Sequence, residues 1–128
     1  MSGLAGRPKD LFVGVNEAAD PSNLSDLEKR HLPLVEAPQT VKKGEAFDVR
    51  VVVGGLLAHP NEYKHFIQFL DVYAEETFLA RIDLAPVSSR SKATFCVSLQ
   101  HPAKELRAYA HCNLHGTWLG RKAIVVTE

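Results

Sequence analysis

The feature that most constrains the fold is a series of short segments in which apolar and polar residues alternate. The clearest segment runs from Phe47 to Val53 and ends at Gly54-Gly55. A period of two is typical of a β-strand with one face against a core. The next run, Phe66–Tyr73, is expected to be a strand buried on both sides. In the run Thr77–Leu84 we expect Phe78, Ala80, Ile82 and Leu84 to face inward. Further strand-like runs are Phe95–Leu99, Leu106–Ala110 and Ala123–Thr127. About seven short strands with almost no helix predict an all-β fold, an immunoglobulin-like antiparallel β-sandwich.

The length of 128 residues suits a single domain, residues 1–128, with one hydrophobic core. Residues 1–21 show no sustained periodicity, and we expect an irregular N-terminal arm that can lie on a neighbouring subunit. Ser25-Asp26-Leu27-Glu28 fits a capping box, in which a serine and a glutamate three residues apart satisfy backbone N–H groups. This motif predicts one short helical turn just before His31.

Charge and hydropathy argue against several classes of partner. The formal net charge is zero, with 15 basic and 15 acidic residues, so we expect neither nucleic acid nor an anionic membrane as a partner. No apolar run approaches the roughly 20 residues that a helix needs to cross a bilayer. The first ten residues lack the apolar centre of a secretory signal. The expected location is therefore the cytoplasm.

The two cysteines lie in different surroundings. Cys96 lies in the apolar run Ala93–Leu99, and we expect it to be a small buried hydrophobic residue. Cys112 lies among polar and histidine neighbours in a late turn, which favours a metal ligand. A reactive thiol and a buried core cysteine remain as alternatives for Cys112.

The late turn and three other histidines form a candidate metal site. Cys112 and His115 are three residues apart, and thiolate and imidazole are common ligands of transition metals. The further candidates are His31, His59 and His65, in segments that a sandwich can bring to one end. Five ligands exceed what a structural zinc site uses, suit iron or copper, and leave one position of an octahedral metal free. We expect His101 and His111 not to be ligands and Trp118 to pack beneath the metal loop.

Three segments together resemble a known family. They are Glu36-Ala37-Pro38 with Lys42-Lys43-Gly44-Glu45, His59-Pro60 with His65, and Cys112-Asn113-Leu114-His115-Gly116-Thr117-Trp118. The chain resembles superoxide reductase of the one-iron, neelaredoxin type from about Leu27 to its last residue. The resemblance implies a mononuclear iron (Fe2+/Fe3+) with four histidines in a plane, His31, His59, His65 and His115, and with Cys112 as the axial ligand. It also implies reduction of superoxide to hydrogen peroxide, re-reduction by rubredoxin or a similar donor, and a homo-oligomer, expected to be a tetramer.

The sequence departs from the family pattern just before the first histidine. Family members usually place Glu-Lys directly before it, whereas this chain reads Glu28-Lys29-Arg30-His31. In a direct alignment Arg30 takes the place of the lysine, and a one-residue bulge restores Glu28 and Lys29 instead. We favour Lys29 as the cation that attracts superoxide and helps to protonate peroxide, because lysine can give up a proton. In the family the glutamate can occupy the open site of ferric iron. A solvated helix end remains the alternative interpretation of these charges.

Two other functional classes are compatible with a late Cys–His turn. A blue-copper electron carrier uses two histidines, one cysteine and usually an axial methionine, but Met1 is the only methionine here. A zinc-stabilised interaction module needs four ligands and would leave one histidine unused. Two-iron relatives have an additional four-cysteine iron centre near the N-terminus. Residues 1–30 contain no cysteine, so we expect electrons to come from another molecule.

Overall fold

The computed structural model describes residues 10–128, which form ten strands and one short helix. The elements are β1 (Val15–Asn16), α1 (Asp26–His31), β2 (Leu34–Glu36), β3 (Thr40–Lys42), β4 (Phe47–Val52), β5 (Ile67–Ala74), β6 (Thr77–Asp83), β7 (Lys92–Val97), β8 (Glu105–Cys112), β9 (Gly116–Ala123) and β10 (Val125–Thr127). Among these residues α1 is the only helix, and at six residues it is too short to cross a membrane.

Two sheets enclose the core and confirm the predicted β-sandwich. A five-stranded sheet has the order β1-β9-β8-β5-β6, and a three-stranded sheet has the order β2-β4-β7. The five-stranded sheet contributes Leu70, Val72 and Leu106 to the core, and Val49 and Val51 come from the opposite sheet; all five are fully buried. Because β4 alternates strictly, its polar side chains face solvent. Strands β3 and β10 form a separate parallel pair.

The register of the central strands brings several loops to one end of the sandwich. β5 pairs with β8 so that Ile67 lies opposite Cys112, and β8 pairs with β9 so that Cys112 lies opposite Gly116. The segment that leads into β5 carries His65, and it therefore lies beside the turn at residues 113–115. The loop that leaves β4 carries His59, and α1 ends at His31.

The predicted inward face of the sixth strand is wrong at Phe78. A bulge between Val72 and Tyr73 leaves Leu79 without a directly paired residue and pairs Phe78 with Tyr73 on the outer face. Phe78 is 54% exposed, whereas Leu79 packs against the core. One extra residue in a strand reverses the direction of the side chains that follow it. The fifth strand is likewise not fully covered, since Tyr73 on its outer face is only half-buried.

The prediction for Cys96 is also wrong. Cys96 is exposed and lies opposite Asp48 in the β4–β7 pair. Its neighbours Phe95 and Val97 pack against the core, so the alternation of the strand turns the thiol outward.

The described part of the N-terminal arm lies against this chain's own sheet. Val15 and Asn16 pair in parallel with Thr117 and Trp118, and the buried amide of Asn16 donates to the Thr117 carbonyl at 2.9 Å. The arm passes close to the turn between β8 and β9: a Cβ added to Gly116, which has a φ of +80°, would lie 2.1 Å from the Leu11 backbone oxygen in the arm. The first nine residues of the predicted arm lie outside the described residues.

Candidate metal centre

Four side chains from three separate segments meet at the end of the sandwich. One ligand atom each from His31, His59, His65 and Cys112 lies within 4.8 Å of all the others. Cys112 is fully buried and His31 is 1% exposed. Imidazole nitrogens and a thiol at this separation can share a single transition-metal ion. The structure therefore brings together four of the five ligands that the sequence predicts.

His115 is not one of the four residues in that group, but its ring lies directly beside them. Its Nδ1 lies 3.7 Å from the Cys112 sulfur. The four imidazoles form a closed circuit of ring centroids: His31 to His59 is 4.7 Å, His59 to His65 is 4.8 Å, His65 to His115 is 5.0 Å and His115 to His31 is 4.8 Å. Such a circuit gives every ring two neighbouring rings, which is the pattern expected of four imidazoles arranged in one plane around a single ion.

Backbone carbonyls fix the orientation of two of the rings. Nδ1 of His31 lies 2.8 Å from the Leu27 carbonyl, one helical turn earlier, and Nδ1 of His59 lies 2.6 Å from the Pro60 carbonyl. A carbonyl can only accept, so each Nδ1 carries the proton and each Nε2 presents a lone pair. A carbonyl acceptor behind a ligating histidine also fixes the plane of its ring.

The unpaired ring nitrogens provide the test of whether a metal fits. Nε2 of His31, His59 and His65 are buried and have no hydrogen-bond partner among residues 10–128. Buried polar atoms are nearly always paired, and three unpaired nitrogens in one cluster need a common explanation. A metal ion between them satisfies all three, so the donor set fits a resident metal.

Burial determines the protonation of the cluster. It lowers the pKa of His31 and of His65, and it lowers the pKa of His59 to about 4. These imidazoles are therefore neutral at pH 7 and available as ligands. Burial raises the pKa of the Cys112 thiol, and the backbone N–H groups of Leu114 and His115, which donate to its sulfur, partly oppose that effect. A bound cation would then be needed to keep the sulfur deprotonated.

A family model confirms what the three sequence segments suggest. The model for desulfoferrodoxin matches residues 23–121, which include all five predicted ligands. The chain belongs to the desulfoferrodoxin family.

Three known proteins are similar to this chain over most of their length. A solved structure of superoxide reductase (neelaredoxin) from Ignicoccus hospitalis has a TM-score of 0.74 and 33% identity, and the match covers 88% of this chain and 94% of that one. A neelaredoxin from Megalodesulfovibrio gigas is 28% identical over 77% of this chain and 88% of its own. A superoxide reductase from Pyrococcus furiosus is 26% identical over 70% of this chain and 84% of its own.

In this desulfoferrodoxin-family chain, Glu28 acts as part of a helix cap. Its two carboxylate oxygens accept from the backbone N–H groups of Ser25 and Ala19, both at 2.8 Å. The Ser25 hydroxyl accepts from the Glu28 N–H, which completes the capping box predicted from the sequence. Glu28 is thus engaged by backbone groups on both oxygens in this conformation.

The two cations that follow Glu28 have different surroundings. The Arg30 guanidinium donates to the Ala58 carbonyl at 2.6 Å, directly before His59 in the chain. Lys29 lies half-buried one residue earlier on α1, and its ammonium group makes no hydrogen bond or ion pair with the other described residues. Arg30 therefore links the helix that carries His31 to the loop that carries His59.

The remaining histidines lie elsewhere. The ring of His111 stacks on Phe69 with centroids 5.2 Å apart, and its Nδ1 lies 2.8 Å from the Thr117 hydroxyl. His101 is exposed and lines a small groove with Ala74, at the far end of β5 from the cluster. Neither ring is part of the four-imidazole circuit.

Trp118 and Asn113 contact the residues that carry the cluster or flank it in the chain. Trp118 is buried, stacks on the ring of His31 with centroids 5.1 Å apart, and donates its indole N–H to the His115 carbonyl at 3.0 Å. The sequence predicts packing at Trp118 but not this hydrogen bond. Nor does it predict a role for Asn113, whose side chain bonds to both residues that flank His65. The only sequence signal for Asn113 is its place directly after Cys112.

Proposed function

We propose that the protein is a superoxide reductase, which converts superoxide to hydrogen peroxide with one electron and two protons at a mononuclear non-haem iron. The observation that carries the proposal is the closed circuit of four imidazoles beside the buried Cys112 sulfur. Family membership and the names of the similar proteins support it.

The proposed ligands are His31, His59 and His65 through Nε2, His115, and Cys112 through sulfur. Iron bound there would supply the one electron by changing between Fe2+ and Fe3+. The protein's task is to hold five donors in place and leave one side open to a small anion. The N–H groups of Leu114 and His115 that donate to the sulfur adjust its donor strength.

Charge favours an anionic substrate. Neutral imidazoles and one thiolate leave a divalent ion with a net positive charge, and cations at the rim increase the attraction. We propose Lys29 as the functional cation, with Arg30 as the alternative. Glu28 is the carboxylate that the family resemblance assigns to the open site of ferric iron, and in this conformation both of its oxygens accept from backbone N–H groups. The hydrogen bond of Arg30 to the Ala58 carbonyl supports a positioning role for Arg30, which leaves Lys29 free to attract the anion and donate a proton.

Nothing in the cluster supports the two alternative functions. A blue-copper site would use two histidines and an axial methionine, whereas four rings lie in the circuit here. A four-ligand zinc module would leave one of these rings unused.

The electron donor, assembly and location are further parts of the proposal. We propose re-reduction by rubredoxin or a similar carrier. Two exposed apolar side chains close to proposed ligands support it: Leu114, 50% exposed and directly before His115, and Tyr63, 76% exposed and two residues before His65. We propose a homo-oligomer, with a tetramer as the expected size, a cytoplasmic location, and a single domain. The one core shared by both sheets supports the single domain.

The deciding experiment counts products. Purified protein loaded with Fe2+ and kept reduced by an external electron donor should consume superoxide and give hydrogen peroxide without releasing oxygen. Oxygen release would indicate dismutation and contradict the proposal. Metal analysis with an optical spectrum separates the alternatives, because a thiolate band on oxidised iron favours the reductase, a copper band favours the carrier, and a colourless zinc protein favours the module.

A further inference from the structure

His65 differs from the neighbouring histidines in how its ring is held. Nδ1 of His31 and of His59 each faces a backbone carbonyl. Among residues 10–128, the imidazole of His65 has no hydrogen bond of its own, and its Nε2 is one of the buried unpaired nitrogens. The direction of this ring is therefore set by the backbone on either side of it and by contact with the rings of His59 and His115.

Asn113 holds that backbone on both sides. Its side-chain oxygen accepts from the N–H of Phe66 at 2.9 Å, and its side-chain NH2 donates to the carbonyl of Lys64 at 2.8 Å. Its own N–H donates to the Phe66 carbonyl at 3.3 Å. The residue before His65 and the residue after it are thus both tied to Asn113.

The position of Asn113 in the chain gives these bonds a further consequence. It directly follows Cys112, which lies opposite Ile67 at the end of the β5–β8 pair. The same three hydrogen bonds therefore link the turn that carries the sulfur to the segment that carries His65. A second pair of backbone bonds, between Glu62 and His65 at 2.9 and 3.1 Å, closes the segment from its other side.

We propose that Asn113 is a positioning residue for the metal centre, which fixes His65 relative to Cys112. The inference rests on the proposed function in that it takes both residues to be ligands. An aspartate at this position keeps the acceptor for Phe66 but replaces the donor to Lys64 with a negative oxygen facing a carbonyl. An alanine removes both bonds, and neither side chain recreates the amide.

Asn61 offers a control in the loop between His59 and His65. Its side chain makes three bonds to a neighbouring segment, one more than the side chain of Asn113: it donates to the Val87 and Ser89 carbonyls at 3.1 and 3.0 Å and accepts from the Val87 N–H at 2.8 Å. That segment carries no proposed ligand. Asn61→Ala therefore removes more side-chain hydrogen bonds than Asn113→Ala does, without releasing the backbone on either side of His65.

The test uses the full chain with Co2+ as the probe. The thiolate-to-cobalt absorption band reports the environment of the bound ion, and competition with a chelator measures its affinity. Asn113→Ala and Asn113→Asp should weaken Co2+ binding by about tenfold or more, the range in which outer partners of metal ligands act, and should shift the band. Asn61→Ala should leave both close to wild type. Equal binding and an unchanged band in the Asn113 variants, or equal losses in Asn61→Ala, would overturn the inference.

A second readout does not depend on a loaded metal. In the metal-free protein, NMR should show one set of His65 ring signals in wild type and several, or broadened, signals in Asn113→Ala, while the melting temperature shows that the variant is folded. Unchanged His65 signals in a folded variant would overturn the inference. Failure of the proposed function has a different signature, because the wild-type protein itself would then give no thiolate–metal band.

Discussion

The sulfur of Cys112 lies 3.7 Å from Nδ1 of His115, with only Asn113 and Leu114 between them in the chain. The turn that joins β8 to β9 therefore presents two donor atoms from one rigid element. The backbone N–H groups of Leu114 and His115 in this turn donate to the same sulfur. The indole N–H of Trp118 donates to the His115 carbonyl. Two ligands of the proposed centre are in this way prepared by local structure alone.

Replacing Cys112 by serine should abolish both the visible band and the reduction of superoxide. A hydroxyl does not supply the thiolate from which the band arises, and it is a far weaker donor to iron. Spectroscopy and a superoxide assay check the result. Cys96→Ser is the matched control, because this exposed thiol lies on β7 and its loss should change neither quantity. Retained activity in Cys112→Ser would contradict the mechanism.

Local patterns in the sequence were sufficient for much of the fold. The alternation of Phe47–Val52 defines β4, and the capping box defines α1, because each depends on residues close in the chain. Phe78 was assigned to the wrong face because the bulge at Val72/Tyr73 arises from pairing between strands. Cys96 was expected in the core because its apolar neighbours outweighed the alternation that turns it outward.

The candidate ligand residues could be predicted from the sequence, but the residues that hold them in place could not. The five candidate ligands carry recognisable chemistry, and the structure brings their rings and sulfur together. The role of Asn113 depends on the long-range register that places Cys112 opposite Ile67, and nothing in the residues near Asn113 reveals that pairing. The assignment of roles to Lys29 and Arg30 stays a prediction.

Those two cations should respond differently to removal. Lys29→Ala should slow the bimolecular reaction with superoxide by about tenfold and flatten its dependence on ionic strength, since a cation at the rim raises the encounter rate of an anion. Arg30→Ala should chiefly weaken metal binding, because it loosens the link to the Ala58 carbonyl beside His59. Pulse radiolysis at several salt concentrations measures the rates.

Lys43→Ala is the control for simple loss of positive charge. Lys43 is exposed, and the next residue, Gly44, bonds to Leu99 at the other end of the sandwich. This variant should keep the wild-type rate and salt dependence. If Arg30→Ala alone slowed the reaction and flattened the salt dependence, the direct alignment would be correct and Arg30 would be the functional cation.

Glu28→Gln should destabilise the protein at neutral pH by about 1–2 kcal/mol, the range for a charged capping group. Backbone N–H donors from Ser25 and Ala19 lower the pKa of Glu28 below its ordinary value of 4.5. A lowered carboxyl pKa contributes stability above pH 4.5 that is lost as the pH falls through the folded-state pKa. Urea unfolding of both forms should therefore show a difference at pH 7 that shrinks in acid.

Glu36→Gln provides the comparison for Glu28→Gln. Glu36 makes an exposed ion pair with Arg50 at 3.2 Å, and exposed pairs contribute little. Its removal should change the free energy of unfolding by only a few tenths of a kcal/mol. A loss in Glu36→Gln as large as that in Glu28→Gln would show that charge alone, and not the cap, is responsible.

The metal-free protein should lose stability as the pH falls from about 6.5 towards 4, and His59 should account for part of the loss. Burial lowers the folded-state pKa of His59 to about 4, whereas an unfolded histidine titrates near 6.5. In that window the unfolded chain binds the proton and the folded chain does not, so acid favours unfolding. For this one group we expect a contribution of about 2 kcal/mol between pH 7 and pH 4.5.

Urea unfolding of His59→Gln, which cannot titrate, should show a free energy of unfolding that depends less steeply on pH across the same range. His101→Gln, at the far end of β5, should follow the wild-type slope. Identical slopes for His59→Gln and wild type would mean that the imidazole of His59 is not held neutral in the cluster.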